Sequence, residues 1–228
     1  MNWREHYRKA VTFSYDDGVT QDIRFVDMLN RYQLKGTFNL NSGIGYVDQV
    51  WTCKGVEIHR CRRETVRDLY SGHEVAVHTL HHPNLYEMTD GEQIAREILE
   101  DQENLERVFG TPVVGMAYPF GGYREETIAL LRANHFQYAR TTKSNYFFEE
   151  QEELLTYAPT CHHNDSRLME LADRLVTGEP EQSQIFCVWG HSYEFDVDDT
   201  WEKMEEFCRF ISDRDDIFYG TNREVLGR

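Results

Sequence analysis

Val11-Thr12-Phe13-Ser14-Tyr15-Asp16-Asp17-Gly18 is a β-prone, largely apolar run that stops at two adjacent carboxylates and a glycine. A buried strand reads this way when it delivers acidic side chains to a sheet edge and then turns away. Like charges a few ångströms apart repel, and each desolvated carboxylate resists ionisation. A cation, or a proton shared between them, resolves the conflict. The plainer alternative is a polar turn in which an Asp caps the following helix.

Six further β-rich runs follow: Gly36–Leu40, Glu74–Thr79, Val113–Tyr118, Phe136–Arg140, Ile185–Gly190 and Ile217–Tyr219. Amphipathic stretches lie between most of them. Ile23, Val26, Leu29 and Leu34 mark one helical face, with Thr20 placed to cap it. Ile94, Ile98, Leu99, Leu105 and Val108 form a stripe opposite a row of charges. Further helices are predicted at Glu125–Ala133, Ser166–Val176, which Asp165 would cap, and Thr200–Ile211. Alternating strand and helix predicts parallel strands with right-handed crossovers, either closed as an irregular barrel or open as a doubly wound sheet. Active residues then belong at the carboxyl ends of strands. The polar residues follow that rule: Asp16 and Asp17, Asn39 and Asn41, His78 with His81 and His82, Tyr118 to Gly122, Arg140, and His191 each end or follow a run.

The 228 residues, 40% hydrophobic, suit a single domain with a sizeable core. A formal charge of −16 argues against nucleic acid or anionic lipid as a partner. No apolar run is long enough to span a membrane, and the start carries no secretory h-region. Five cysteines without a C-x-x-C pair read as reduced thiols in a cytoplasmic protein.

Three histidines in five residues, His78 to His82, are the strongest metal signal. Imidazole and carboxylate donors suit a borderline divalent ion: zinc first, with cobalt, nickel or manganese as alternatives. Pro83 disfavours a regular helix there, so a tight loop is expected. His191 leaves an apolar strand in Trp189-Gly190-His191-Ser192-Tyr193-Glu194, where a histidine can serve as general acid. Cys161-His162-His163-Asn164-Asp165 offers donors for a second ion.

These stretches together resemble the polysaccharide deacetylases that share the NodB homology domain, carbohydrate esterase family 4. Phe13 to Gly18 is similar to the family's first motif, whose first Asp is a catalytic base and second a metal ligand. His78 to Pro83 is similar to the element with two ligand histidines, and it selects His82 over His81. Tyr118-Pro119-Phe120-Gly121 resembles the third motif and His191 the last. The resemblance spans about Ala10 to Tyr219. It implies a distorted (β/α)7 TIM-like barrel and one divalent ion on Asp17, His78 and His82. It further implies Asp16 as base, His191 as acid and the Phe120 N–H as an oxyanion donor. Tyr118, Trp189 and Tyr193 would wall a sugar ring. The expected activity is hydrolysis of acetyl groups from N-acetylated amino sugars or a related small acetamide. A cyclic-amide or ureide hydrolase and a non-catalytic carbohydrate-binding homologue are the alternatives. Two departures stand out: Ala117 occupies the place of the third motif's arginine, and the fourth motif has no clear counterpart around Tyr138 to Thr142. Arg140, at a strand end, is either a surface arginine or substrate contact, or the residue that pairs with Asp16 in a planar, bidentate way.

Overall fold

The structure, a computed structural model, describes residues 2–44, 50–61 and 63–227. Its frame is a parallel sheet of eight strands. They are β1 (Lys9–Asp16), β2 (Gly36–Leu40), β5 (Glu74–Val77), β6 (Gly115–Ala117), β7 (Tyr138–Arg140), β8 (Cys161–His162), β9 (Gln184–Gly190) and β10 (Ile217–Tyr219). An antiparallel hairpin, β3 (Val50–Cys53) with β4 (Val56–His59), stands outside it. The order is β7-β6-β5-β2-β1-β9-β8, with β10 also paired to β1. Tyr157 bridges to Arg140, and Thr160 donates its N–H to the Cys187 carbonyl, so one short stretch brings the two ends of the curled sheet together. The result is a distorted (β/α)7 barrel, as expected. The two-residue strand β8 and the hairpin were not expected.

Between the strands run α1 (Asp22–Arg31), α2 (Arg63–Leu69), α3 (Gly91–Phe109), α4 (Glu125–Ala133), α5 (Leu168–Thr177), α6 (Glu194–Val197) and α7 (Trp201–Ile211), with α8 (Asn222–Leu226) last. Strand β1 sets the inside–outside pattern because side chains alternate across a strand. Val11, Phe13 and Tyr15 join the main apolar cluster with the buried side chains of α1, α3, α5 and α7. Phe13 meets Phe25 and Phe207 edge-on. The alternate residues Thr12, Ser14 and Asp16 meet polar partners instead. Ser14 Oγ accepts from Asn39 Nδ2 (3.1 Å), Asn222 Nδ2 (3.1 Å) and Arg140 Nε (3.2 Å), while Thr12 Oγ1 donates to Asn222 Oδ1 (2.9 Å). Helix α8 thus sends Asn222 into a buried polar column beneath Asp16. A capping box of Thr221 and Glu224 fixes the start of that helix.

Three local expectations are corrected. Ile23 is 58% exposed, because α1 turns Phe25, Val26, Met28 and Leu29 to the core instead. Thr20 is not the cap: Gln21 holds that place without a side-chain bond, and the buried Asp22 opens the helix. Helix α5 begins at Leu168, later than predicted. Asp165 closes the preceding turn by accepting from the Arg167 N–H (2.9 Å).

Candidate active site

The carboxyl ends of β1, β5, β7 and β9 converge on one point. Asp16 is the last residue of β1 and Asp17 turns out of it with φ 81, a left-handed conformation unusual for a side chain with a Cβ. The Asp17 N–H is anchored on the Asn39 carbonyl (3.0 Å). Hairpin residue Arg60 donates to the Asp17 carbonyl and to Asn41 Oδ1 (3.0 Å), and its Nη2 lies 3.5 Å from Asp17 Oδ1. Nothing local marks Arg60 in the sequence: it lies just past the short β4, and its partners are distant along the chain.

His78 follows β5 directly and leads into an irregular loop, as Pro83 suggested. Thr79 and His82 both take positive φ (67 and 59). Such geometry costs of order 1–3 kcal/mol per residue and needs support. The support is visible: buried Asp101 on α3 accepts from the N–H groups of His78 (3.1 Å) and Ser42 (2.7 Å). Asn41 Nδ2 donates to the carbonyls of His78 and Thr79, and Thr79 Oγ1 accepts from the His82 N–H (3.1 Å).

The donor chemistry fits a divalent ion. His78 Nδ1 lies 2.8 Å from the Ala117 carbonyl, so Nδ1 carries the proton and the Nε2 lone pair faces the site. Burial, together with the neighbouring His82, holds the His78 ring down at about 4 against the pull of Asp16 and Asp17, which keeps it neutral. Asp17 Oδ1 is buried with no hydrogen-bond partner, and His82 Nε2 lies 3.6 Å from it. The ligand atoms of Asp17, His78 and His82 all lie within 4.8 Å of one another. His81, by contrast, turns outward and pairs with Glu97 (2.8 Å).

Asp16 divides its two oxygens. Oδ1 accepts from Arg140 Nη2 and from Asn39 Nδ2 (2.8 Å). Oδ2 faces His191 Nε2 at 3.9 Å and His78 Nε2 at 4.0 Å. Burial pushes the Asp16 carboxyl up, but the charges of Arg140, His78 and His191 and the Arg140 bond outweigh it and leave it at about 2. Arg140 is fully buried and so reaches Asp16 rather than solvent-side substrate. The pairing is end-on, not the expected bidentate fork. Nε is taken by Ser14, Nη1 by the Thr141 carbonyl (3.3 Å), and the guanidinium lies over the Trp189 ring at 4.8 Å.

His191 Nε2 lies 4.0 Å from Asp17 Oδ2. Burial opposes a charged ring, yet Glu194 with Asp17 and Asp16 holds His191 up at about 9. Ser192, next in sequence, is fixed by donating to buried Asp22 (2.5 Å), whose other oxygen accepts from Tyr70 (2.6 Å). Of the expected ring walls, Tyr193 lies edge-on to Trp51 at 5.8 Å and 5.2 Å from the His191 ring. Trp189 is 8% exposed and forms floor more than wall. Tyr118 is corrected: it is fully buried, with its hydroxyl on the Leu155 carbonyl (2.7 Å). Phe120 takes φ 58, is 66% exposed and presents its ring to His82 at 4.8 Å. Cys161 is buried in the core, where burial pushes its thiol up and away from ligating form. His162 and His163 gather instead beside Glu194 (3.0 and 3.2 Å).

A family model described as "Polysaccharide deacetylase" matches residues 4–139, more than half of the chain. YxkH of Bacillus subtilis (strain 168), named as a polysaccharide deacetylase, is 25% identical over 138 residues. That alignment covers 59% of this chain and 45% of YxkH, so the chain spans under half the length of that relative. A solved structure of a polysaccharide deacetylase homologue from Mycobacterium smegmatis superposes with a TM-score of 0.68 at 16% identity, over 99% of this chain and 91% of the other. A carbohydrate esterase family 4 pseudoenzyme from Bacillus anthracis also shares the fold, with a TM-score of 0.55 at 16% identity, over 96% of this chain and 66% of the other. A likeness of fold at such identity therefore carries no activity with it. The family assignment rests on the matched segment, which holds Asp16, Asp17, His78 and His82. This chain belongs to the polysaccharide deacetylase family.

Proposed function

We propose that the chain is a divalent-metal-dependent amide hydrolase that removes acetyl groups from an N-acetylated amino sugar or a related small acetamide. The observation that carries this reading is the convergence of three donors, a base and an acid. Asp17, His78 and His82 form a donor set beside which Asp16 Oδ2 and His191 Nε2 lie 3.9 Å apart. A divalent ion on those donors, zinc being the first choice, would supply Lewis acidity toward the acyl oxygen and the attacking water. Asp16 takes the water's proton at Oδ2, since Oδ1 is committed to Arg140 and Asn39. Arg140 fixes the plane of that carboxylate. It also keeps Asp16 ionised beside Asp17, at the cost of basicity. His191 delivers a proton from Nε2 to the departing nitrogen, because an amine leaves poorly as an anion. Trp51 and Tyr193 offer aromatic faces to a ring next to the acid. Among the described residues no helix is long and apolar enough to cross a membrane, and all five cysteines are unpaired. A reducing, cytoplasmic setting suits those thiols.

The test is acetate release by the zinc-loaded protein from a panel of N-acetylated amino sugars and their oligomers, with cyclic amides as the comparison panel. Turnover on the first panel alone supports the proposal. Turnover on cyclic amides alone, or on neither panel with metal bound, refutes it.

A further inference from the structure

Glu194 stands at the start of α6, three residues after His191, and its Oε2 is the meeting point of three imidazoles. His162 Nε2 lies at 3.0 Å, His163 Nε2 at 3.2 Å and His191 Nδ1 at 3.6 Å, and the His191 N–H donates to the same oxygen at 3.3 Å. Such a cluster can be a second metal site or a hydrogen-bonded cradle for a carboxylate. The far nitrogens decide between them. The Asn164 N–H points at His162 Nδ1 (3.1 Å), so Nδ1 is the acceptor and the neutral ring carries its proton on Nε2, facing Glu194. Tyr15 lies with its hydroxyl 3.1 Å from His163 Nδ1. His163 Nε2, 3.2 Å from the same carboxylate oxygen, makes no hydrogen bond among the described residues. A ring that presents an N–H cannot ligate a cation through that atom. His78 is the contrast, because its proton sits on the far nitrogen and its lone pair faces the site.

We propose that Glu194, held by the His191 main-chain N–H and flanked by the Nε2–H of His162, is the positioning residue for His191: its carboxylate faces Nδ1 and so aims Nε2 at the reacting atoms.

Several features of the chain serve this arrangement. His163 is 2% exposed, and among the described residues neither its Nε2 nor His191 Nδ1 has a hydrogen-bond partner; Glu194 Oε2 is the carboxylate oxygen nearest both. Its ring stacks on Tyr15 at 5.6 Å and meets Phe195 at 4.5 Å, which locks its plane. Gly190 makes room for it, since a Cβ there would fall 2.1 Å from His163 Nδ1. Strand β1 thus supports both halves of the site: Asp16 Oδ2 faces His191 and His78, and Tyr15 on the other side of the strand packs on His163 behind the acid. A carboxylate with His162 on one flank and His191 on the other keeps its charge and its place through a proton transfer.

The inference rests on the deacetylase reading, and the test separates the two. Zinc-loaded wild type, Glu194→Gln and His191→Ala are compared on an N-acetylated amino-sugar oligomer and on 4-nitrophenyl acetate, whose leaving group needs no proton. Glu194→Gln should lower kcat on the amide on the order of 10²-fold with KM unchanged, and leave the ester rate near wild type. Added to His191→Ala, it should cost nothing further. Glu194→Asp, which keeps the charge on a shorter arm, should recover part of the loss. Equal losses on amide and ester, or a full additional loss in the His191→Ala background, would overturn the proposal. So would a fall in zinc content from two ions per chain to one in Glu194→Gln. A wild type silent on both substrates sinks the deacetylase reading alone. The positioning role is then read by nitrogen-15 NMR of labelled histidine in the metal-free protein. A slowly exchanging His191 Nδ1–H that disappears in Glu194→Gln supports it, and its absence from wild type overturns it.

Discussion

Replacing Arg140 with Met removes the cation and keeps much of the stem's volume. Asp16 sits at about 2 against an ordinary value of 3.8, even though burial alone would raise it. The Arg140 charge is the largest effect lowering it, so its loss should lift Asp16 back toward its ordinary value, on the order of 2 pH units or about 2.7 kcal/mol of differential interaction. The sign follows from the depressed value. In wild type the ionised form persists as pH falls until about 2, whereas in the variant the carboxyl takes up a proton in or above the usual carboxylate range. The acid limb of kcat/KM should therefore move to higher pH by about 2 units, with metal content unchanged. Asp16 would also be left as a buried charge without its partner, at a cost of about 3–5 kcal/mol, which for a chain of this length is a fall in Tm of about 10 °C. The assay is a pH series of acetate release on metal-loaded protein below the lowered Tm, with metal measured on the same samples. An unshifted acid limb at near-normal rate would refute the argument. A raised KM alone would place Arg140 on substrate instead.

His82→Ala should lose most bound metal by elemental analysis while His81→Ala keeps it, because His81 turns away to Glu97; equal loss would mean that His81 shares in ligation. Asp16→Asn should keep the ion and lose about 10²–10⁴-fold in turnover, and metal release would make Asp16 a ligand rather than a base. Gly190→Ala should lower stability by about 1–3 kcal/mol in thermal melts, since the added methyl must displace the His163 ring. An unchanged melting curve would mean that the ring moves freely and that the cradle is not rigid.

How much of this was legible in the sequence depends on the range of the forces involved. The strands of the barrel and the polar residues at their ends follow from alternation, which is local and repeats over enough residues to be read. The positions of Asp16, Asp17, His78 and Arg140 follow from that. Strand β8 is two residues long, too short for any period, and takes its place from pairing with Val188 and Trp189. Tyr118 looked like a wall because tyrosine often lines sugar sites, but a main-chain carbonyl 37 residues away holds its hydroxyl inside. The bidentate expectation for Arg140 failed because Ser14 and Thr141 compete for the same fork, and neither was visible as a partner. Glu194 sat in plain view beside His191. Its importance comes from His162, His163 and Tyr15, which only the closed sheet brings near.

Strand β1 lies between β2 and β9 and also pairs with β10, so its neighbours are drawn from residues 36–40, 184–190 and 217–219. Ser14 on that strand meets Asn222 across a separation of 208 residues. A molecule wired this way has high contact order, and the entropy of closing its longest loop falls due before the reward of burial arrives. During synthesis the first strand must wait, with one edge open, for segments not yet made. A fragment ending near residue 139 would hold Asp16, Asp17, His78 and His82, but with half of its central strand unpaired and the polar column open at the base. Such a fragment is a candidate for chaperone capture or edge-to-edge association rather than for independent folding.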